Sequence, residues 1–288
     1  MLTLRRIRHQ ASKSTLRVPL VWYRHRAIEG RDAFVASYPR SGSTWLRFLL
    51  CEILSRRPAE FENVNRDLPD VGGHVKAARL LPGGGRLVKT HERYRPEYSK
   101  AIYLVRDGRD VLLSEFAYEK ALERFPGNFD DFLRLFLAGK VNGYGAWHHH
   151  VETWLDSPLN ENGNLLLIRF EDMRQNTSRT LEHVLSFLGA EVNQNVIQQA
   201  IENNSVDAMR TKEERSPQLG KRPPQPRDDG RGRFIRSGSV RGWQGKLTDQ
   251  QIHLIEQEAG DVLARMKYPI GAALAEKDQA GMKMAGRG

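Results

Sequence analysis

Cysteine is almost absent from this chain. Cys51 is the only one in 288 residues, so no intrachain disulfide can form. It sits in an apolar helical run and reads as a small core residue rather than a nucleophile. Long hydrophobic runs are missing as well: none reaches the roughly 18 residues that a membrane-spanning helix requires. The N-terminus alternates basic and apolar residues without a clean apolar stretch, so a secretory leader is not expected. Without one, the Asn-x-Ser/Thr sequons at Asn176 and Asn203 carry little weight. Together these absences point to a cytoplasmic protein. No internal repeat is visible.

The sequence is 39% hydrophobic and 28% charged, the balance of a soluble globular protein long enough to bury one large core. Its formal charge of +10 is concentrated in two places. Residues 1–31 carry +7 and residues 210–241 carry +6, leaving −3 for the remainder. Two basic segments on a slightly acidic body suit a highly anionic small ligand. A nucleic-acid binder more often spreads basic residues over a face with aromatics between them, so no nucleic-acid partner is expected.

Three segments carry the chemistry. Tyr38-Pro39-Arg40-Ser41-Gly42-Ser43-Thr44-Trp45 lies between an apolar strand-like run from Ala33 and an apolar helix-like run from Leu46 to Leu54. A strand turning into a helix at small polar residues, with a cation in the turn, is an anion cradle: N–H groups converge and the helix dipole adds its positive end. It is not a Walker A loop, since the leading Gly and the terminal Lys-Ser/Thr are missing. Next, the strand-like Ile102 to Val105 ends in Arg106, and Ser114 follows within a helix that starts near Gly108 to Asp110. Last, Phe234-Ile235-Arg236-Ser237-Gly238-Ser239-Val240-Arg241-Gly242-Trp243 is a basic, glycine-containing loop.

In this order the three segments resemble the signatures of sulfotransferases that use 3′-phosphoadenosine 5′-phosphosulfate (PAPS). The first resembles the 5′-phosphosulfate loop, written Tyr-Pro-Lys-Ser-Gly-Thr-Thr-Trp, with Arg40 in place of Lys as the real departure. The resemblance implies that Arg40, Ser41, Gly42, Ser43 and Thr44 hold the phosphosulfate and that Trp45 stacks on adenine. It implies that Arg106 and Ser114 grip the 3′-phosphate, and that Arg236, Ser237 and Gly238 close over it, although Ser237 replaces the family's Lys. Phe170 stands where many members have Tyr, and Ser205 opens a segment similar to one that completes the adenine pocket. Lys89-Thr90-His91 resembles the family's strand-end tripeptide, which makes His91 the general base and Lys89 a partner of the sulfuryl oxygens. A histidine suits that task near neutral pH. Glu92 is the alternative base. Arg40 retains the charge of the family Lys but not its point geometry, so Arg40 and Lys89 are expected to share the stabilisation of the leaving group.

The activity implied is sulfuryl transfer from PAPS to a hydroxyl or amine of a small-molecule or glycan acceptor, independent of metal. A P-loop-like phosphotransferase and a catalytically silent anion-binding module are the alternatives. His148-His149-His150 lacks Cys or acidic partners at ligand spacing and reads as a solvated helical face.

Strands alternating with helices predict an α/β fold with a mostly parallel sheet. The resemblance implies a single domain, residues 31–270, with a four- or five-stranded sheet flanked by helices in a P-loop NTPase-like topology. Strands are predicted over 86–91, 101–106 and 165–170, the last buried on both faces. Helices are predicted over 45–54, about 109–123, 130–155, 177–188, 193–203 and from Asp249 to about Met266, and residues 58–85 read as loop. Residues 1–30 form a basic extension that packs on the domain, peripheral membrane contact being the other reading. Residues 211–241 are expected to be a mobile loop that closes over the cofactor, and 271–288 a frayed tail.

Overall fold

Four parallel strands run through the computed structural model, which describes residues 17–216 and 238–271. They are β1 (Ala33–Ala36), β2 (Leu87–Thr90), β3 (Ala101–Val105) and β4 (Leu165–Arg169), arranged β2-β1-β3-β4. β1 pairs with β2 through Val35↔Lys89 and Ala36↔Thr90, and with β3 through Ala36↔Tyr103. Every residue of β1 and β3 is buried, as continuous apolar strands are when helices cover both faces of a parallel sheet. Alternate residues enter two separate cores: Phe34, Val88 and Tyr103 on one side, Val35, Leu87 and Ile102 on the other.

The second core is covered by α2 (Ser43–Ser55), α3 (Phe61–Asp67), α9 (Thr177–Phe187) and α10 (Gln194–Asn203). The first is covered by α4 (Gly108–Ala121), α5 (Phe129–Leu137), α6 (Trp147–Leu155) and α12 (Asp249–Arg265). α1 (Arg17–Arg24), α7 (Pro158–Glu161), α8 (Phe170–Gln175) and α11 (Val206–Arg215) complete the α-helices of the described residues.

Four expectations need correction. The predicted loop 58–85 contains α3, whose Phe61 and Val64 are buried; Phe61 meets Phe48 edge-on at 4.7 Å. Buried Arg47 donates to the carbonyl oxygens of Val64 and Leu68, satisfying the end of α3 from outside. So short an apolar pattern, interrupted by Glu, Asn and Arg, was too sparse to read. The single helix predicted over 130–155 is two, α5 and α6. Gly139 ends the first at φ +69°, and a Cβ there would lie 2.4 Å from the Ala146 nitrogen. β4 is not buried on both faces: it is an edge strand, and Leu167 is 37% exposed. Finally, α11 extends to Arg215, into the predicted closing loop; residues 217–237 of that loop lie outside the described residues, as do 1–16 and 272–288.

The described part of the N-terminal extension packs only partly. In α1, Val21 is buried and Arg24 donates to the Val71 carbonyl, while Val18 and Trp22 are exposed. His25, just beyond, hydrogen-bonds Tyr98 at 2.7 Å.

The far end of the sheet is tied by a buried ion pair. Arg86 donates to both Asp32 oxygens, at 2.9 and 2.6 Å, and to the Ala27 carbonyl. Burial pushes the Asp32 carboxyl up, but the Arg86 guanidinium outweighs it and holds the group below the usual carboxylate range. The stability it contributes is therefore present above the unfolded pKa of about 4 and lost as pH falls through the native one. Asp32→Ala strands a buried guanidinium and is expected to cost about 3–5 kcal/mol in chemical denaturation at neutral pH. A loss below about 1 kcal/mol would show that the pair does not hold the strand ends together.

Candidate active site

The first loop leaves β1 at Ala36 and enters α2 at Ser43. Arg40 and Gly42 both adopt positive φ, +66° and +96°, which turns the chain back on itself. Gly42 admits no substitute: a Cβ would lie 2.6 Å from the Phe170 ring, in a backbone region that side chains rarely adopt. Ser41 is fully buried, and its Oγ has no hydrogen-bond partner among the described residues. A buried hydroxyl beside the first turn of α2, whose leading N–H groups lack intrahelical acceptors, fits a bound oxyanion. Tyr38, also buried, donates to the Gly145 carbonyl at 3.0 Å and accepts from Asn142 at 2.9 Å, anchoring the loop from below.

Arg106 leaves the end of β3 and reaches into the same space. It donates to the carbonyl oxygens of Arg40 at 3.3 Å and Ser239 at 2.9 Å, and lies over the Phe170 ring at 4.8 Å. Ser114 accepts from Arg40 Nε at 3.2 Å. The third segment is therefore tied to Arg106 at its described end. Gly238 lines the cavity; Arg236 and Ser237 lie outside the described residues.

What holds that end was only partly visible in sequence. Fully buried Arg109 makes a two-pronged pair with Asp107 and stacks on Trp243 at 3.9 Å, while Trp243 Nε1 donates to Asp107 at 3.1 Å. Trp243 was legible as part of the third segment, whereas its Asp107–Arg109 partners carried no signal of their own.

Lys89, Thr90 and His91 stand at the end of β2. Lys89 pairs with Asp70 at 2.8 Å, and burial lowers its pKa. His91 Nδ1 lies 2.7 Å from the Ser37 carbonyl. A carbonyl can only accept, so Nδ1 carries the proton and Nε2 keeps its lone pair. Burial, then the Lys89 charge, push the imidazole pKa down to about 3. Glu92 is not among the residues that line the cavity.

The His148-His149-His150 reading is corrected here. His148 and His150 are buried, and only His149 is exposed. His150 Nε2 donates to the His91 carbonyl at 3.0 Å and its Nδ1 accepts from Tyr103 at 2.9 Å. It is a brace beneath His91, recruited by tertiary contacts that spacing within the triplet could not show.

A cavity of about 580 Å³ joins these groups. Arg40, Gly42, Ser43, Thr44, Trp45, Lys89, His91, Arg106, Ser114, Phe170 and Gly238 all line it. Trp45 meets Phe170 edge-on at 6.5 Å and donates to the Asn204 carbonyl. Ser205 is not among the lining residues: its hydroxyl accepts from the Ala208 nitrogen as the cap of α11, and Val206 and Met209 supply that wall. A further wall, from Glu115, Tyr118, Glu119, Asn142 and Tyr144, was not legible, because Glu115 beside Ser114 carried no signal of its own and 116–150 contains no motif. Burial pushes the Glu115 carboxyl up to about 7 against the pull of Arg40.

The chain matches the sulfotransferase domain family over residues 30–267. It is 27% identical to mouse sulfotransferase 1B1, over 76% of this chain and 78% of that protein. Human sulfotransferase 2A1 is 28% identical, over 64% and 68% of the two chains. Among solved structures, mouse sulfotransferase SULT7A1 complexed with PAP superposes with a TM-score of 0.62 at 23% identity, covering 94% of this chain and 95% of that one. Retinol dehydratase in complex with androsterone and inactive cofactor PAP gives 0.64 at 21% identity, covering 82% and 81%. At these identities the structural likeness is one of fold, and it agrees with the single α/β domain and parallel sheet described above.

The His91 geometry makes a prediction independent of turnover. With its native pKa near 3, the imidazole stays neutral and Nδ1-protonated from pH 8 down to pH 5. Long-range ¹⁵N–¹H spectra, assigned by comparison with His91→Gln, are expected to show that tautomer with no titration in this window. A midpoint near 6.5 would contradict the buried, cation-flanked environment.

Proposed function

The chain belongs to the sulfotransferase domain family, and we propose that it transfers a sulfuryl group from PAPS to a hydroxyl or amine of a small-molecule or glycan acceptor, with His91 as general base. One observation carries this reading: the anion loop, Arg106, Ser114, Lys89 and His91 all line one cavity at the carboxyl ends of three adjacent parallel strands. That edge is where open α/β sheets bind ligands.

The residues present fit PAPS as donor substrate. Ser41, Ser43, Thr44 and the first turn of α2 would hold the 5′-phosphosulfate, with Gly42 leaving room for the backbone to approach. Arg106, Ser114 and Gly238 would take the 3′-phosphate, joined by Arg236 and Ser237 from outside the described residues. Trp45 and Phe170 would flank the adenine. Without a Tyr hydroxyl at 170, that wall contributes only ring contact.

His91 Nε2 faces the reaction with its lone pair and would remove the acceptor proton as the acceptor oxygen or nitrogen attacks sulfur. As that bond forms, the bond from sulfur to the 5′-phosphate oxygen breaks in line and the electron pair leaves on the phosphate. Arg40 and Lys89 would stabilise this charge, Lys89 sharing itself between Asp70 and the sulfuryl oxygens. The donor's negative charge would offset that of Lys89, the second cause of His91's low basicity, and so strengthen the base when an acceptor is present. A cytoplasmic setting fits this reading. Among the described residues, no helix is long and apolar enough to cross a membrane.

Two measurements on one preparation test the reading. Adenosine 3′,5′-bisphosphate should raise the melting temperature strongly and 5′-AMP should not, since only the former carries the 3′-phosphate; equal shifts from the two would overturn the assignment of Arg106 and Ser114. His91→Ala should lose about 10²–10⁴-fold in transfer rate at nearly unchanged nucleotide affinity. An active His91→Ala beside a crippled Glu92→Ala would move the base to Glu92.

A further inference from the structure

α4 places in the cavity wall a carboxylate that the phosphosulfate reading does not use. Glu115 follows Ser114 directly and is 4% exposed. Its Oε1 accepts from Asn142 Nδ2 at 3.3 Å. Its Oε2 is buried and has no hydrogen-bond partner among the described residues. Asn142 cannot supply the missing contact, because the two hydrogens of Nδ2 are already directed to Glu115 and to the Tyr38 hydroxyl at 2.9 Å. The amide is held in turn by the Tyr144 nitrogen, which donates to its Oδ1 at 2.9 Å, so it cannot swing to a new position.

A buried carboxyl oxygen left without a donor is costly whether or not the group is charged. In this site its electrostatic partner is Arg40, whose charge lowers the Glu115 pKa against burial and whose Nε is bonded to the neighbouring Ser114. In the reading above, Arg40 is committed to the donor's phosphosulfate, which takes up its charge. Glu119, one turn further along α4 and paired with Arg124 at 3.4 Å, adds negative charge to the same wall. The wall continues to the base: Asn142 fixes the backbone of Tyr144, and the Tyr144 ring meets His91 edge-on at 5.6 Å.

We propose that Glu115 is the acceptor-recognition residue and that the preferred acceptors carry a protonated amine, seated on Glu115 Oε2, in addition to the group that is sulfated. The inference rests on the sulfotransferase reading and names the substrate class for it. An ammonium supplies both the hydrogen and the positive charge that Oε2 needs, whereas a neutral isostere supplies neither. A charge-assisted hydrogen bond of this kind is worth about 10- to 100-fold in affinity.

The test is calorimetric titration of the full-length protein, loaded with adenosine 3′,5′-bisphosphate, with two matched phenols. One bears an aminoethyl arm and the other an ethyl arm. The wild type is expected to favour the amine about 10- to 100-fold. In Glu115→Gln, which keeps size and fold but removes the charge, the ratio should fall towards one, and Glu115→Asp should restore part of it. Equal affinities in the wild type, a preference for the neutral phenol, or an amine preference that survives Glu115→Gln would each overturn the inference and leave the sulfotransferase reading standing. Failure to bind the nucleotide at all would overturn that reading, and this inference with it.

Discussion

Parallel pairing of β1 with both β2 and β3 is the constraint on which the site depends. Parallel neighbours end on the same side, so the register Ala36↔Thr90 and Ala36↔Tyr103 brings three strand ends to one edge within about two strand spacings. The anion loop leaves the first, Lys89 and His91 stand at the second, and Arg106 leaves the third. No side-chain contact between these groups is needed to bring them together. The buried alternation of the strands into two cores fixes the register, because a one-residue slip would exchange the cores.

Given that edge, the local chemistry is governed by concentrated positive charge in a poorly solvated space. Arg40, Lys89 and Arg106 face one cavity, and their combined field suits a ligand carrying several anionic groups. Burial, joined by the Lys89 charge, keeps His91 neutral. Its Nδ1–H is committed to the Ser37 carbonyl, and its own carbonyl is braced by His150. The histidine is thus held in one tautomer by Ser37, the residue that follows β1 into the loop, which couples imidazole orientation to loop position. On the other side, Glu115 and Glu119 are the acidic counterweight, carried by the helix that also supplies Ser114.

The strands were legible because fully buried parallel strands write themselves as short continuous apolar runs, and the anion loop because few residue types can make a strand-to-helix turn around an oxyanion. Gly42 illustrates the second point: both its φ and the Phe170 ring exclude any side chain. Residues whose role arises only from tertiary contact were hidden. His150 reads as an exposed repeat until Tyr103 and His91 are placed beside it. Asp70 is an ordinary loop acid until its parallel bridge to Lys89 brings the two charges together. α3 was missed because an outside residue, Arg47, completes its end, and Ser205 was assigned on the resemblance of its whole segment, of which Val206 and Met209 rather than Ser205 line the cavity.

The central claim is that this strand edge reads a nucleotide with phosphates at both ribose positions, in one orientation. A crystal structure of the complex with adenosine 3′,5′-bisphosphate tests it most directly. The account predicts the 5′-phosphate over Ser41 to Thr44 within reach of Arg40 and Lys89, the 3′-phosphate on Arg106 and Ser114, and the adenine against Trp45 and Phe170. A nucleotide bound with the two phosphates exchanged, or bound away from this edge, would contradict it.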